Sequence, residues 1–165
     1  GGEGRVLEAP FPPVRAGAGG RMFWGCHEHV LDEKGRTSLP KEFRDLLTRS
    51  SEPPWLTLRS RCLAIYPAEK FDKIRQRLSD DVLNDAAESL ERLIIGHATP
   101  CSVDRAGRIL IPPTLRRLAR IEREIVFMGL TDRVEIWDRA RYEAEIENTQ
   151  EHEAENSRFL RGATR

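Results

Sequence analysis

Short apolar runs alternating with polar turns fill two stretches of the chain, and each stretch predicts the same order of elements. In the first, strands are expected at Cys26–Leu31 and Arg36–Leu39, a helix at Lys41–Leu47, and strands at Trp55–Leu58 and Cys62–Tyr66. In the second, strands are expected at Cys101–Val103 and Arg108–Ile111, a helix at Thr114–Ala119, and strands at Ile125–Met128 and Arg133–Trp137. A helix starting near Ala68 or Asp138 follows each β-β-α-β-β unit. Pro40 and Pro112-Pro113 stop the second strand of each unit and suit the first turn of a helix, where a missing N–H matters little. Phe43, Leu46 and Leu47 give one short helix its inward face; Leu115 and Leu118 do so for the other. Between the units, Leu83, Ala86/Ala87, Leu90 and Leu93/Ile94 recur at helical spacing and predict an amphipathic helix. Beyond Tyr142 and Ile146 there is almost no apolar residue until Phe159-Leu160, which predicts a charged helix fraying into a tail.

The parallel is also literal. Leu31-Asp-Glu-Lys-Gly-Arg-Thr-Ser-Leu-Pro-Lys-Glu-Phe-Arg-Asp-Leu-Leu47 aligns with Val103-Asp-Arg-Ala-Gly-Arg-Ile-Leu-Ile-Pro-Pro-Thr-Leu-Arg-Arg-Leu-Ala119 at an offset of 72 residues. Six of the seventeen positions are identical and four more exchange one apolar residue for another. One residue out of step, Leu63-Ala-Ile-Tyr66 and Phe71 match Val134-Glu-Ile-Trp137 and Tyr142. A period this long means two copies of one small domain rather than a solenoid. Four short strands in about 45 residues bury too little apolar surface to stand alone, so the copies should share one core as an interleaved pseudo-dimer.

Composition then narrows the class. The 165 residues, 39% apolar and 33% charged with a mean hydropathy of −0.54, are too apolar for wholesale disorder and too polar for a membrane protein. The longest aliphatic runs, such as Ile109-Leu110-Ile111, fall far short of the ~20 residues that span a bilayer. No charged-then-apolar leader opens the chain, so a cytoplasmic protein is expected. Residues 1–21 hold six of the twelve Gly and three of the ten Pro and read as a disordered extension, with Met22 a candidate functional start. Cys26, Cys62 and Cys101, an odd number with no Cys-x-x-Cys pair, suggest neither a disulfide framework nor a zinc site.

Net charge is zero, but its distribution is uneven. Six Arg against three acids give residues 101–125 a local +3; seven acids against two Arg give residues 138–156 a local −5. A basic segment beside an acidic one produces a local field that a polyanion would meet.

The repeated Asp-x-x-Gly-Arg is the leading candidate for chemistry: Asp32…Gly35-Arg36 and Asp104…Gly107-Arg108. Asp suits the start of a hairpin loop because its carboxylate accepts from amides just ahead, and Gly suits the end because it takes positive φ. The motif sets a guanidinium at the base of each loop, whose rigid fork of donors fits phosphate oxygens or the guanine O6/N7 edge. Lys34 and Arg105 add a cation near each tip. The competing structural reading is that Asp and Arg pair within the hairpin and merely hold the turn. Arg116, Arg117, Arg120 and Arg123 form either a phosphate-binding flank or a solvated face. Cys26-His27-x-His29 resembles metal-ligand vocabulary, but the two His share one strand face while Cys26 points opposite, and no fourth ligand lies nearby. A core or surface role is expected for them, and no metal or other cofactor. No nucleophile-base pair, Gly-rich phosphate loop or metal triad is present, so no catalytic residue and no small-molecule substrate is expected.

At these residues the chain resembles the MraZ family. Met22-Phe23-Trp24-Gly25, Leu31-Asp-Glu-Lys-Gly-Arg-Thr-Ser-Leu-Pro40, Val103-Asp-Arg-Ala-Gly-Arg-Ile-Leu-Ile-Pro-Pro113 and Val134-Glu-Ile-Trp-Asp138 carry the likeness, which covers residues 22–146. The resemblance implies an α+β, mainly β fold of two tandem β-β-α-β-β swapped-hairpin repeats like those of AbrB, forming an intramolecular pseudo-dimer. It implies ring-like homo-oligomers that bind double-stranded DNA at tandem promoter repeats and control, usually repress, the division and cell-wall gene cluster. DNA-binding positions would fall on Lys34 and Arg36 and on Arg108. Ala106 stands where the first copy has Lys34, so the loops contribute unequally unless Arg105 compensates. The expected organisation is an extension over 1–21, repeat one over 22–73, linking helices over 74–100, repeat two over 101–145, and an acidic helix end and tail over 146–165.

The expected function is therefore a sequence-specific DNA-binding regulator, cytoplasmic and nucleoid-associated. Two alternatives remain at this level. One is an oligomeric interaction scaffold using the acidic helix 138–156. The other is an enzyme whose site converges Asp32, Asp104 and a His.

Overall fold

The computed structural model describes residues 20–163, together with Arg5–Val6 and Arg15–Ala16, with side chains described from Met22 onward. The expectation for residues 1–21 falls almost wholly outside the described residues. In chain order the strands are β1 Arg5–Val6, β2 Arg15–Ala16, β3 Gly20–Arg21, β4 Phe23–Val30 and β5 Arg36–Ser38, followed by helix α1 Lys41–Leu47. Next come β6 Trp55–Arg59, β7 Cys62–Tyr66, α2 Ala68–Asp80, α3 Asp85–Ile94, β8 Thr99–Pro100, β9 Arg108–Leu110 and α4 Pro113–Leu118. The chain closes with β10 Glu124–Thr131, β11 Arg133–Asp138, α5 Arg139–Glu151, α6 Glu153–Asn156 and a 3₁₀ turn at Ser157–Leu160.

Seven antiparallel strands form the main sheet in the order β1-β4-β10-β11-β7-β6-β8, and β5 pairs with β9 in a separate two-stranded ribbon. β4 of the first copy lies on β10 of the second, from Val30 opposite Glu124 to Phe23 opposite Thr131. Its counterpart in the second copy, β8, lies on β6 of the first. The two copies are interleaved strand by strand, as the shared-core argument requires.

The register gives the internal symmetry directly. Ala64 sits opposite Glu135, its own equivalent at the 71-residue offset, and Thr37 sits opposite Ile109, its own equivalent at 72. A pseudo-two-fold axis therefore passes through the centre of the main sheet and the centre of the ribbon. The core spans both copies: Phe43, Leu47, Leu56, Leu63, Ile109, Ile111, Ile125, Phe127 and Ile136 are all essentially inaccessible to solvent. Neither half would keep this core dry alone.

Four local expectations need correction. First, no ladder joins β4 to β5 as a simple hairpin among the described residues; each strand flanking the loop pairs with the other copy instead. Second, the first strand of the second copy ends at Pro100. The Cys101 amide donates to the Pro54 carbonyl at 2.7 Å, after which the chain leaves the sheet edge for the loop. Third, Leu118 is 42% exposed at the end of α4, and the buried residue there is the next one, Ala119. Fourth, α3 begins at Asp85, capped by the Asn84 side chain on the Ala86 and Ala87 amides, so Leu83 lies outside the helix and is 97% exposed. Ile94 and Leu93 anchor α3, while Leu90 faces solvent.

Candidate nucleic-acid interface

Each Asp-x-x-Gly-Arg segment folds as a tight turn held by its own carboxylate. One oxygen of Asp32 accepts from the Lys34 and Arg36 amides, both at 2.9 Å, and one oxygen of Asp104 accepts from the Ala106 and Arg108 amides, both at 2.9 Å. The Arg36 amide above all, then the Lys34 amide and the Arg36 and Arg108 guanidinium groups, hold the Asp32 carboxyl below the usual carboxylate range against the opposing effect of desolvation. The Arg108 amide does the same first for Asp104, with the Ala106 amide and the Arg108 side chain adding to it. Both carboxylates are thus kept charged and committed to the turn.

The two turns are also locked to one another across the pseudo-dyad. The Ile111 amide donates to the Gly35 carbonyl, and the Leu39 amide to the Gly107 carbonyl, each at 2.9 Å. Gly35 and Gly107 adopt φ of +85° and +77°, where an L side chain is strained. Space is also lacking: a Cβ on Gly35 would stand 2.8 Å from the Ile111 carbonyl oxygen and 2.9 Å from the guanidinium carbon of Arg116. At Gly107 a Cβ would collide with the Arg44 guanidinium. Arg44 on α1 and Arg116 on α4 are repeat equivalents, each seated on the glycine of the opposite copy's loop. Arg116 is therefore packed against a turn, its Nε buried and without a hydrogen-bond partner among the described residues, rather than standing free on a flank. Arg44 was not singled out from the sequence, although it is one of the six identities in the repeat, a signal that could have found it.

Alternation along the ribbon sorts the remaining residues. Thr37 and Ile109 point inward and are buried. Arg36, Ser38, Arg108 and Leu110 share the outward face, with Arg36 opposite Leu110 and Ser38 opposite Arg108. The two arginines are diagonal cross-strand neighbours, a separation of about 7–8 Å. Lys34 and Arg105 are exposed in the turns at either end of the ribbon, so the four cations within the two repeated motifs belong to one turn-and-ribbon unit. They are not equivalent. Arg108 Nε donates to Asp104 Oδ2 at 3.2 Å, whereas Arg36 makes no ion pair among the described residues. The turn-holding ion pair envisaged for both copies is present only in the second.

His27 and His29 lie on the inward face of β4 and are buried. His27 packs edge-on to Phe43 and His29 edge-on to Phe127, each at 5.2 Å between centroids, and His29 Nδ1 and Ser38 Oγ share a hydrogen bond at 3.1 Å. Burial, and secondarily the neighbouring His27, push the His29 pKa down to about 4. A His held neutral in the fold but ordinary when unfolded leaves stability intact above about pH 6.5 and removes it as pH falls toward 4. With allowance for water at the ring edge, the loss should be about 2 kcal/mol. Urea unfolding at pH 7.5 and 4.5 is expected to show this slope in the wild type and a shallower one in His29→Gln; equal slopes would remove His29 as its source.

Comparison with known proteins agrees with this architecture. The family model described as "MraZ protein, putative antitoxin-like" matches twice, over residues 22–93 and 94–162. A protein of Marinomonas sp. (strain MWYL1) named transcriptional regulator MraZ is 38% identical over 131 residues, 77% of this chain and 87% of that protein. Proteins of the same name from Lachnoclostridium phytofermentans and Cutibacterium acnes are each 38% identical, over 74% and 79% of this chain and 86% and 91% of their own lengths. With two matching copies that together span most of the described residues, and relatives this similar, the chain belongs to the MraZ family.

Proposed function

We propose that this protein is a sequence-specific DNA-binding transcriptional regulator in which the β5–β9 ribbon and its two turns meet the duplex. Its relatives carry the name transcriptional regulator. The observation that carries the reading is the ribbon itself: two outward guanidinium groups on a backbone braced from both copies by Arg44, Arg116 and the reciprocal glycine hydrogen bonds. A two-stranded ribbon is narrow enough for the major groove, and rigid arginine forks suit both phosphates and base edges. Lys34 and Arg105 at the tips serve the backbone.

One subunit presents few cations and would bind weakly. Ring-like self-assembly sets several ribbons along tandem promoter repeats, so each further contact forms at high effective concentration. Repression of the division and cell-wall gene cluster, from a nucleoid-associated place in the cytoplasm, is the regulatory outcome of that arrangement. No helix among the described residues is long and apolar enough to cross a membrane. The test is selection of native genomic fragments on the purified protein at about 0.15 M salt, where non-specific contacts are partly screened. Recovered fragments should share a short element repeated in tandem; recovery without a common element would overturn the reading.

A further inference from the structure

The pseudo-symmetry of the ribbon is broken at one outward position, and the break has a chemical meaning. Arg36 and Arg108 are repeat equivalents and identical. Ser38 and Leu110 are also repeat equivalents, but one is polar and the other aliphatic. The outward face thus reads Arg36 beside Leu110 at one end and Arg108 beside Ser38 at the other. Ser38 turns its hydroxyl to His29 at 3.1 Å, whereas Leu110 remains 51% exposed directly across from Arg36. An exposed leucine amid cations on a face that offers itself to DNA has one base-edge group to match: the C5-methyl of thymine, the sole apolar feature of the major-groove edges.

We propose that Leu110 reads a thymine methyl beside the position contacted by Arg36, so that the two ends of the ribbon recognise different bases. This rests on the reading of the ribbon as the DNA-contacting element. Two identical ends on a pseudo-two-fold ribbon would prefer an element with matching inverted halves. Unlike ends instead specify a direction along the duplex, which suits an element repeated head to tail. The turns carry a second asymmetry of the same kind, since Glu33 and Lys34 in the first correspond to Arg105 and Ala106 in the second.

The experiment replaces each thymine of a selected high-affinity duplex in turn by deoxyuridine, which deletes the methyl and leaves every hydrogen-bonding group in place. Wild-type protein, Leu110→Ala and Arg36→Ala are compared at fixed salt, with their assembly state measured by light scattering. One thymine is expected to cost wild type about fourfold in affinity on losing its methyl, the worth of one buried methyl group. Leu110→Ala should bind the thymine and deoxyuridine duplexes alike, with wild-type assembly and salt slope. If Arg36→Ala weakens binding while the deoxyuridine profile of Leu110→Ala matches wild type, this inference fails and the DNA-binding reading stands. If neither variant alters binding, the reading of the ribbon fails. Altered assembly in Leu110→Ala would place the leucine between subunits and overturn the proposal.

Discussion

Phe127→Ala is expected to destabilise the protein by about 3–5 kcal/mol, enough to consume a large share of the 5–15 kcal/mol typical of a folded domain. Phe127 lies midway along β10, fully buried, with His27 opposite it on β4 and Ile136 opposite it on β11. It therefore fills the joint where a strand of one copy enters the sheet of the other. Truncation leaves a cavity that rigid strands on both sides cannot collapse, so loss of buried area and loss of packing add. The His29 ring, which stands edge-on to it, would face that cavity. Water admitted there would relieve the desolvation that keeps His29 neutral, so the acid-side slope should flatten in the same variant. Unfolding in urea should remain one cooperative transition, because the two copies share their core. Two separate transitions, or a destabilisation below about 1 kcal/mol, would mean that the copies are stabilised independently and that the interleaved packing matters little.

Much of this architecture was legible in the chain, and the reason is the repeat. A short four-stranded unit written twice has to find its missing core in its twin, which by itself leads to interleaving. The start of the helix at Lys41–Leu47 follows from Pro40, and the strand at Cys62–Tyr66 from its short continuous apolar run, buried at every position. Strand partners were harder. Alternation tells which face of Phe23–Val30 is buried, since that is a property of one strand; it does not tell that the ladder runs to Glu124–Thr131, about a hundred residues away. The same limit explains Leu118, Leu83 and Leu90. Helical spacing identifies a candidate face, but these residues lie at or beyond helix ends, or where no neighbour arrives to cover them.

The candidate site divides along similar lines. Asp32, Gly35, Asp104 and Gly107 were readable because a turn held by a carboxylate and closed by a glycine is a local structure, and both instances are built that way. What surrounds the turns was not local. Arg116 looked like one more cation in a basic run, and only the swap brings it over Gly35 of the other copy. The unequal state of the two motif arginines was equally hidden, because identical sequence motifs give no sign that one guanidinium is held and the other is not.

That inequality carries the second large expected effect. On the proposed reading Arg108 would meet DNA with the Asp104 carboxylate already on its Nε, its charge partly neutralised and one donor engaged. Among the described residues no hydrogen bond or ion pair engages the Arg36 guanidinium, which acts on Asp32 only through its charge and so keeps its full fork of donors. Arg36→Ala is therefore expected to weaken binding to a single repeat by about 2–3 kcal/mol and Arg108→Ala by about 1 kcal/mol. Each engaged subunit repeats the deficit, so on an array of several repeats the double variant should bind at least about a hundredfold more weakly. Shift assays across a salt series tell the two kinds of recognition apart. If Arg36 meets a phosphate, its removal lowers the slope by about 0.9; if it meets a base edge, the slope stays and the penalty changes with sequence. Equal penalties from the two arginines would mean that the Asp104 pair opens freely when DNA arrives. Asp104→Asn gives the sharper contrast, since the amide oxygen can still accept from the Ala106 and Arg108 amides while the charge on the guanidinium is no longer offset. It is expected to tighten binding, steepen the salt dependence and bring the cost of Arg108→Ala up to that of Arg36→Ala. Weaker binding in Asp104→Asn would instead mean that the ion pair aims the guanidinium at the duplex, and that its restraint is worth more than the charge it hides.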